Sequence, residues 1–407
     1  MLSGVAILDR LASAGDFLAD VRDIVEHRVE HPDEPAWAEA RRIGVFLRGL
    51  SDEAVEAAES TGLHAAIGAQ STRPPSAIPG ELRALLERAD AVARLDLPAE
   101  TPANSPLPGV SERKQVQVRA LAELAKGVGL RTTVLDVGAG HGHLTRELAR
   151  ALGTTALGLD RDPDRIARAL ELSAELGSPA RFVLRDAVRH SIEASAGELV
   201  VGLHACGALG DALVREAAAT RCHLLYVACC PQKIPGAMRE PLSRAGTEHG
   251  LRWPRHALGL ANMLATPVGI EAPTRTNLRA RQTRYALSLL FRQRDIPGTA
   301  ADHGRGLNRR TMLKGLRAVA ERAFALRSLA PPSSAELRDA EARGVRDYAL
   351  IRRYALVRTA LGRPLEVSLA LDRAAALVEE GAHVKLLEAF PRSASPRNLA
   401  IVARHDS

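Results

Sequence analysis

The first hundred residues carry apolar side chains at spacings of three and four, the period of one face of an α-helix. The spacing predicts amphipathic helices over about residues 4–30, 35–49, 52–68 and 80–95. Two proline-rich stretches interrupt this pattern, and the second lies between Pro98 and Pro108. Because proline removes an amide donor and biases the preceding residue away from helix, we expect a linker at residues 98–110 after a helical N-terminal region at residues 1–97.

From about residue 115 the pattern changes to short runs rich in β-branched residues, each followed by a helix-compatible segment or a turn. The runs are TTVLDVG, TTALGLD, ARFVLRD, ELVVGLH and HLLYVAC. Such alternation is typical of parallel strands joined by crossover helices. It stops after Cys230 and resumes with a helix at Leu365–Glu380 and the strands HVKLLEAF and NLAIVARH.

The last two strands are separated by PRSASPR, which is too short for a crossover helix, so we expect them to pair antiparallel. The pattern predicts an α/β fold with a doubly wound sheet of five parallel strands plus a C-terminal antiparallel hairpin. This domain would occupy residues 111–407. An insertion at about residues 231–362 would separate its fifth strand from its last helix.

Composition supports a globular protein and shows where the charge lies. Hydrophobic residues make up 46% and charged residues 25% of the 407, and the net charge is +7. Residues 231–330 alone carry +12, whereas residues 1–110 carry −8. Only five of the basic residues are lysines, which indicates a codon bias toward arginine. That bias does not explain why acidic residues are scarce in one stretch.

Several classes of protein are not expected from this composition. The start, MLSGVAILDR, lacks a basic region before an apolar core, and no window holds about 18 uninterrupted apolar residues. We therefore expect a cytoplasmic protein that spans no membrane. Four cysteines in so long a chain do not make a disulfide framework. Aromatic residues make up 3%, too few for a platform on which single-stranded nucleic acid stacks.

A glycine-rich loop follows the first predicted strand. Asp136 lies in the strand, and Gly138, Gly140 and Gly142 alternate after it. Glycine allows unusual backbone torsions and lets a ligand approach the backbone. The third glycine comes one residue earlier than in the dinucleotide-binding fingerprint, and a carboxylate beside the loop would repel a pyrophosphate but attract an ammonium group. The loop therefore predicts a site for S-adenosyl-L-methionine, with Asp136 near its amino acid moiety.

Two further carboxylates follow the next two strands. Asp160 ends the second strand, where it could accept both ribose hydroxyl protons, and Asp186 ends the third, where it could accept from an adenine amino group. An aspartate at a strand end is often only a helix N-cap. Three on consecutive strands favour a cofactor site.

Histidine and cysteine follow the fourth and fifth strands. His204 and Cys206 lie in LHACG, and Cys229 and Cys230 in ACCP. Neighbouring strands of a doubly wound sheet open onto one crevice, so we expect the four side chains to converge there. They could supply a general base, a soft metal site or a nucleophile, or the thiols could be small buried apolar groups. We assign no metal, because HxC followed by CC lacks the regular spacing of zinc ligands.

The motifs VLDVGAGHGHL, LHACG and CCP resemble the methyltransferase-like twenty-five family of class I S-adenosylmethionine-dependent methyltransferases, and LDRAAALVEEG and SPRNLAIVA look like the end of that family. The resemblance implies a Rossmann-like sheet. It assigns Asp136 and the three loop glycines to the cofactor, and the histidine and three cysteines to a catalytic face. Two departures concern the substrate. Ser111 to Lys114 lead to Gln117, where the family often has a glutamate, and Pro231 and Gln232 follow the cysteine pair instead of an aromatic residue or histidine.

A wider similarity is to the tRNA acceptor-stem 2′-O-methyltransferases, which share a glycine loop and analogous histidine and cysteine elements. Together with the basic insertion it favours RNA as the methyl acceptor, contacted through bidentate arginines. The residues concerned are Arg275, Arg279, Arg281, Arg284, Arg292, Arg294, Arg305, Arg309, Arg310 and Lys314. Solvated arginine-rich helices are the alternative explanation. A protein or small-molecule acceptor, or a non-catalytic cofactor-binding protein, also remains open.

Overall fold

The computed structural model describes residues 4–69, 78–95, 107, 109–128, 133–263 and 274–406. The chain divides into two compact units. The first, here called the sheet unit, comprises Met1–Glu26, Glu87–Pro267 and Leu361–Ser407. The second, the helical unit, comprises His27–Leu86 and Val268–Ala360.

The sheet unit contains a seven-stranded sheet whose strands match the predicted apolar runs. The strands are β1 Val134–Val137, β2 Ala156–Asp160, β3 Arg181–Leu184, β4 Leu199–Ala205, β5 His223–Ala228, β8 His383–Glu388 and β9 Leu399–Arg404. Two short strands, β6 Met238–Arg239 and β7 Trp253–Pro254, pair separately.

The order of the large sheet is β3-β2-β1-β4-β5-β9-β8. The pairs among β1 to β5 are parallel, and β9 is antiparallel to both β5 and β8. The predicted fold class, a doubly wound Rossmann-like sheet closed by a C-terminal antiparallel hairpin with a helical N-terminal region, is confirmed.

The helices of the sheet unit flank and connect these strands. They are α1 Gly4–Asp20, α2 Arg22–Glu26, α8 Glu112–Lys126, α9 His143–Leu152, α10 Pro163–Glu175, α11 Ala208–Thr220, α12 Arg244–Glu248, α13 Arg255–Leu258 and α19 Gly362–Glu379, with a 3₁₀ turn at Gly259–Asn262. The helical unit contains α3 Ala36–Ala40, α4 Gly44–Arg48, α5 Asp52–Thr61, α6 Leu63–Ala69, α14 Thr274–Arg292, α15 Ala300–His303, α16 Arg309–Met312, α17 Leu316–Ala325 and α18 Ser334–Ala360. Helix α7, Gly80–Ala93, contains the boundary at Glu87.

Alternation along β4 divides the packing between the two faces of the sheet, since successive side chains of a strand point to opposite faces. Val201 lies in one apolar core with Leu121 of α8 and Leu148 of α9. The next residue, Gly202, faces the other way, and a Cβ there would meet Leu213 of α11 at 2.6 Å. Helices therefore cover both faces, as crossover connections require.

The helical unit has an apolar core of its own. Phe291 of α14 and Phe324 of α17 stack with ring centroids 4.7 Å apart. Leu337 and Ile351 of α18 belong to the same cluster. Among the residues that the structure describes, neither unit contains a helix with the length and apolarity needed to cross a bilayer.

These units differ from the division expected along the sequence. Within residues 1–97, α1 belongs to the sheet unit, where its buried Ile7, Leu11 and Leu18 accompany its packing against α19. Within the expected insertion at 231–362, the described residues up to Met263 also belong to the sheet unit. Most of the expected linker at 98–110 lies outside the described residues.

A buried ion network explains why the segment after β5 stays with the sheet unit. Arg239 of β6 donates to Asp372 of α19 at 2.9 Å and to Asp211 of α11 at 3.2 Å. Arg373 of α19 donates to the same Asp211 oxygen from Nε at 2.9 Å and lies 2.8 Å from it through Nη2. All four charged side chains are buried. Buried charges of this kind are tolerated only when each has a partner.

Removing one member should therefore destabilise the sheet unit strongly. Asp372→Ala leaves Arg239 with one carboxylate fewer and removes an acceptor for the Leu242 and Ser243 amides. We expect a loss of about 3–5 kcal/mol in the free energy of unfolding, measured by urea denaturation. Glu240→Ala removes the exposed ion pair with Arg252 and should cost only about 0–1 kcal/mol. Equal effects of the two substitutions would contradict this assignment.

Candidate functional site

The site lies where the parallel strands end. Because β2, β1, β4 and β5 are consecutive neighbours and parallel, their carboxyl ends share one edge of the sheet. Every residue predicted for the site lies near the carboxyl end of one of the strands β1 to β5 or in the segment that follows it. The fold therefore brings the predicted cofactor carboxylates, the glycine loop and the histidine and cysteine motifs to the same edge.

The loop after β1 needs its glycines. Gly138, Gly140 and Gly142 have φ values of 81°, 56° and 73°, in a backbone region that residues other than glycine rarely adopt. A Cβ on Gly142 would lie 2.3 Å from the Phe182 ring of β3. At Gly140, in contrast, a Cβ would meet nothing within 4 Å, so the backbone there is open to an approaching group. Such a loop fits a ligand that contacts the main chain.

Asp136 is buried at the end of β1, with 2% of its surface exposed. Its carboxylate accepts a hydrogen bond from Thr145 Oγ1 of α9 at 2.6 Å. Burial raises the pKa of Asp136 to about 6, an effect opposed by the Thr145 hydroxyl and by the charge of Lys114. The Thr145 hydroxyl and the Lys114 charge offset only part of the cost of burying this negative charge. A cation beside Asp136, such as the ammonium group of an amino acid, would therefore be stabilised.

Asp160 and Asp186 both contact the backbone. Asp160 accepts from the Gly140 amide at 2.8 Å and from the Asp162 amide at 3.0 Å, so it holds the glycine loop against the end of β2. Asp186 accepts from the Val188 amide at 3.0 Å and remains partly exposed. Each carboxylate has further lone pairs, so these contacts leave capacity for a ribose or a base.

His204 occupies a left-handed backbone position, with φ of 61°, where the β4–β5 register shifts. Its Nε2 lies 3.0 Å from Oε1 of Gln117, whose own Nε2 donates to the Ala394 carbonyl at 3.0 Å. This chain of contacts assigns the imidazole proton to Nε2. Nδ1 is then a buried acceptor that has no partner among the described residues.

The imidazole of His204 is held neutral. Burial, assisted by the charges of Lys114 and Arg397, lowers the pKa of His204 to about 4. A neutral imidazole can accept a proton, although a pKa this low makes it a weak base. The structure thus orients His204 through Gln117, the residue that replaces the glutamate of the resembling family.

Three thiols, here called the thiol cluster, meet where β4 and β5 end. The Sγ atoms of Cys206, Cys229 and Cys230 all lie within 4.8 Å of one another, and those of Cys229 and Cys230 are 3.4 Å apart. Cys206 also donates to the His204 carbonyl at 3.1 Å. Contact with the Cys229 thiol lowers the pKa of Cys206, and the same contact raises the pKa of Cys229. The three thiols are therefore coupled, and a negative charge on one of them is stabilised by the thiols of its neighbours.

Cys222 lies apart from this group, at the amino-terminal side of β5. Its side chain is fully buried, and burial raises its pKa to about 11. A protonated, inaccessible thiol of this kind acts as a small apolar group. The fold thus separates one structural cysteine from three clustered ones.

A close backbone contact keeps the ends of β4 and β5 together. The Ala208 amide donates to the Lys233 carbonyl at 3.0 Å. At Gly207, with φ of 50°, a Cβ would lie 2.1 Å from that same carbonyl oxygen. Only glycine allows this approach. Gly207 of the LHACG motif therefore matters for positioning the thiol cluster, a role the sequence did not reveal.

Two more residues near the site were missed by the motif analysis. Lys114 of α8 is partly buried, which lowers its pKa, and its charge acts on Asp136 and His204. Arg397 donates to the Asn262 side chain at 2.9 Å, and Asn262 donates to Gln232, at 2.5 Å. Lys114 lies in a segment where the chain departs from the family that it resembles, and Arg397 lies in a segment that matches that family. The sequence contains no other indication of either residue.

Parts of this chain are similar to known proteins. A family model described as a methyltransferase domain matches residues 113–236, from α8 through the end of β5. Similar solved structures include PH0226 protein from Pyrococcus horikoshii OT3 (20% identity, TM-score 0.25, covering 30% of this chain and 57% of that chain). Others are TrmN from Thermus thermophilus (23%, 0.25, 30% and 42%) and magnesium protoporphyrin IX methyltransferase from Synechocystis PCC 6803 (19%, 0.24, 30% and 61%).

Each of these matches spans less than two thirds of the known chain. The family match, in contrast, covers the glycine loop, the carboxylates and all four histidine and cysteine residues. Residues 113–236 therefore match the model of a methyltransferase domain, a class of enzyme whose cofactor is S-adenosyl-L-methionine.

Proposed function

We propose that this protein is an RNA methyltransferase of the methyltransferase-like twenty-five family. One observation carries the proposal: a single sheet edge holds an open glycine loop beside a buried carboxylate and, at the next two strand ends, His204 and the thiol cluster. The first half of this edge fits a cofactor, and the second half offers groups that can act on an acceptor.

The cofactor supplies an electrophilic methyl group on a sulfonium. The chain's part is to bind and orient it. Asp136 would pair with its ammonium group, and the open backbone at Gly140 would allow close approach of the amino acid moiety. Asp160 would accept from the ribose while holding the loop, and Asp186 would accept from the adenine amino group.

His204 and the thiol cluster would face the acceptor. Neutral His204 presents Nδ1 as a proton acceptor, with its tautomer set by Gln117. The thiol cluster can supply a thiolate, because contact between its thiols lowers the pKa of one of them. These groups would hold or accept the proton that leaves the acceptor atom as it is methylated.

The RNA assignment rests on the basic segment and on the wider resemblance to acceptor-stem methyltransferases. Six of the ten predicted phosphate-contacting residues are exposed in the helical unit. They are Arg279, Arg281, Arg294, Arg305, Arg310 and Lys314. Three of these already have partners: Arg294 pairs with Glu336 at 2.8 Å, Arg305 pairs with Asp302 at 3.1 Å, and Arg281 interacts with the Tyr348 hydroxyl. Arg279, Arg310 and Lys314 are the best candidates for phosphate contacts, and the side chains of Arg275 and Arg309 lie outside the described part of the chain.

The direct test uses S-adenosyl-L-methionine labelled on its methyl group, the purified protein and cell lysate. We expect label to enter material that is destroyed by ribonuclease and survives protease. Label that survives ribonuclease and is lost with protease would overturn the RNA assignment and indicate a protein acceptor. His204→Ala and Cys229→Ala should both lower the incorporation. Unchanged incorporation in both variants would remove these residues from the reaction.

Cofactor affinity should rise with pH through about 6. In the free protein the Asp136 carboxyl holds its proton below this value, and the proton must leave before the carboxylate can pair with an ammonium group. Each pH unit below 6 should weaken binding of S-adenosyl-L-methionine about tenfold, measured by titration calorimetry. Asp136→Asn should bind weakly with no such dependence.

Stability of the cofactor-free protein gives an independent readout of the same group. The folded-state pKa of Asp136 is raised, so its contribution to stability is present at acidic pH and is lost as pH rises through about 6. Asp136→Asn should therefore melt at a higher temperature, relative to the native chain, at pH 7 than at pH 5. Asp164→Asn, an exposed carboxylate in α10, serves as the control and should change neither binding nor stability. Affinity that is flat from pH 5 to 7 in the native chain would contradict the assignment.

RNA binding should depend steeply on salt. Each phosphate contact contributes a slope of about −0.7 to log affinity against log salt for a single strand. Replacing Arg279, Arg310 and Lys314 by alanine should make the slope shallower by roughly 2, measured by fluorescence anisotropy. The control is Arg252→Ala, which removes a basic side chain paired with Glu240 in the sheet unit. A slope that is near zero, or equally affected by the control, would count against RNA.

A further inference from the structure

The thiol cluster has the dimensions of a metal site. In a tetrahedral zinc site each Zn–S bond is about 2.3 Å, so two sulfurs on the same ion lie about 3.8 Å apart. The three Sγ atoms lie within 4.8 Å of one another, and those of Cys229 and Cys230 are 3.4 Å apart. Shifts of a few tenths of an ångström to about 1 Å would place all three on one ion.

The backbone holds these sulfurs together without a metal. Ala205 pairs with Ala228 in the parallel β4–β5 ladder, which places the residues after each strand side by side. The contact between the Ala208 amide and the Lys233 carbonyl closes the other end of the same region. A site formed by strand ends and a backbone clamp is largely preformed, so little ordering would oppose binding of an ion.

The irregular spacing of the three cysteines describes their positions in the sequence and not the positions of their sulfurs in the fold. Cys229 and Cys230 are adjacent, and in an extended strand their side chains would point to opposite faces. They lie after the end of β5, and their sulfurs are 3.4 Å apart. Regular two-to-four-residue spacing is therefore not required for the two thiols to meet.

His204 is not part of this donor set. Among the residues that the structure describes, the group able to hold a metal consists of the three cysteines alone. Nε2 of His204 is engaged by Gln117 at 3.0 Å. Three protein ligands leave a tetrahedral ion with one open position, which is the arrangement of catalytic zinc sites and not of closed structural ones.

We propose that Cys206, Cys229 and Cys230 bind a thiophilic metal ion of the Zn²⁺ class through three thiolates, with one coordination position left for water or a substrate atom. Each thiol that binds the ion releases its proton to solvent. The proposal goes beyond methyl transfer, because it concerns an ion that the three thiols would bind whether or not the acceptor is RNA.

The test uses the full-length protein, prepared under reducing conditions and stripped with a chelator. Zn²⁺ alone is added, unbound ion is removed by gel filtration, and bound zinc is measured by elemental analysis. We expect one zinc per chain. Cys206→Ser, Cys229→Ser and Cys230→Ser should each weaken binding by at least about tenfold in a chelator competition, since loss of an outer-shell partner alone has effects of that size.

Cys222→Ser is the matched control, because Cys222 is a buried thiol outside the cluster. It should leave zinc uptake unchanged. Equal uptake by the native chain and all three cluster variants would overturn the proposal, as would uptake that depends on Cys222.

A spectroscopic measurement on the native chain covers the case in which a variant fails to fold. Co²⁺ substituted at a thiolate site gives intense sulfur-to-metal charge-transfer absorption in the near ultraviolet, and we expect this band with tetrahedral ligand-field bands in the visible. Absence of the charge-transfer band would overturn the proposal. A second result would also overturn it. If the chain purified without reductant is lighter by two hydrogens, two of its thiols have formed a disulfide, and a failure of the reduced chain to take up metal would then show that the cluster is a disulfide site and not a metal site. Neither readout depends on methyl transfer, so failure here and failure of the proposed function are distinguishable.

Discussion

The position of β4 between β1 and β5 is the constraint on which the site depends. The order β3-β2-β1-β4-β5 brings five parallel carboxyl ends to one edge. Strands β2 and β3 are added on one side of β1, and β4 and β5 are added on its other side. A doubly wound sheet binds its ligands where the strand order changes sides in this way, because the loops on either side diverge and leave a crevice. Here the cofactor loop follows β1 and His204 lies near the end of β4, so the predicted cofactor site and the predicted catalytic residues lie on either side of that point. A different strand order would separate them.

The sheet unit contains buried carboxylates of two kinds, those paired with arginine and one that lacks such a partner. Asp211 and Asp372 lie between Arg239 and Arg373, and every carboxylate in that network faces a guanidinium. Asp136 instead has a hydroxyl partner and only the more distant charge of Lys114, and its pKa is raised. The paired network fixes α11, α19 and the segment after β5 to one another. The underpaired carboxylate keeps an unfavourable charge that a cationic ligand would neutralise, which is the pattern expected of a binding site.

The sequence predicted those features that depend on local pattern. Short runs rich in β-branched residues located the strands of the large sheet, and the short PRSASPR segment predicted that the last two pair antiparallel. Domain boundaries were harder, because they depend on contacts between distant segments. Nothing local shows that α1 packs against α19, or that Arg239 pairs with Asp372 across 133 positions. Gln117 was visible only as a departure from a motif, and its hydrogen bond to His204 joins residues 87 positions apart.

The histidine and the cysteines, close in sequence, have different surroundings in the fold. Cys206 follows His204 by two residues and donates to its carbonyl, yet the imidazole belongs to a hydrogen-bonded chain through Gln117 to Ala394, while the sulfur belongs to a group drawn from β5. The left-handed backbone at His204 produces this separation, because it turns the chain where the β4–β5 register shifts. A non-glycine residue in that conformation is strained, and such strain is concentrated at functional sites. The strain at His204 is thus best explained by the need to give His204 and Cys206, two residues apart, separate sets of partners.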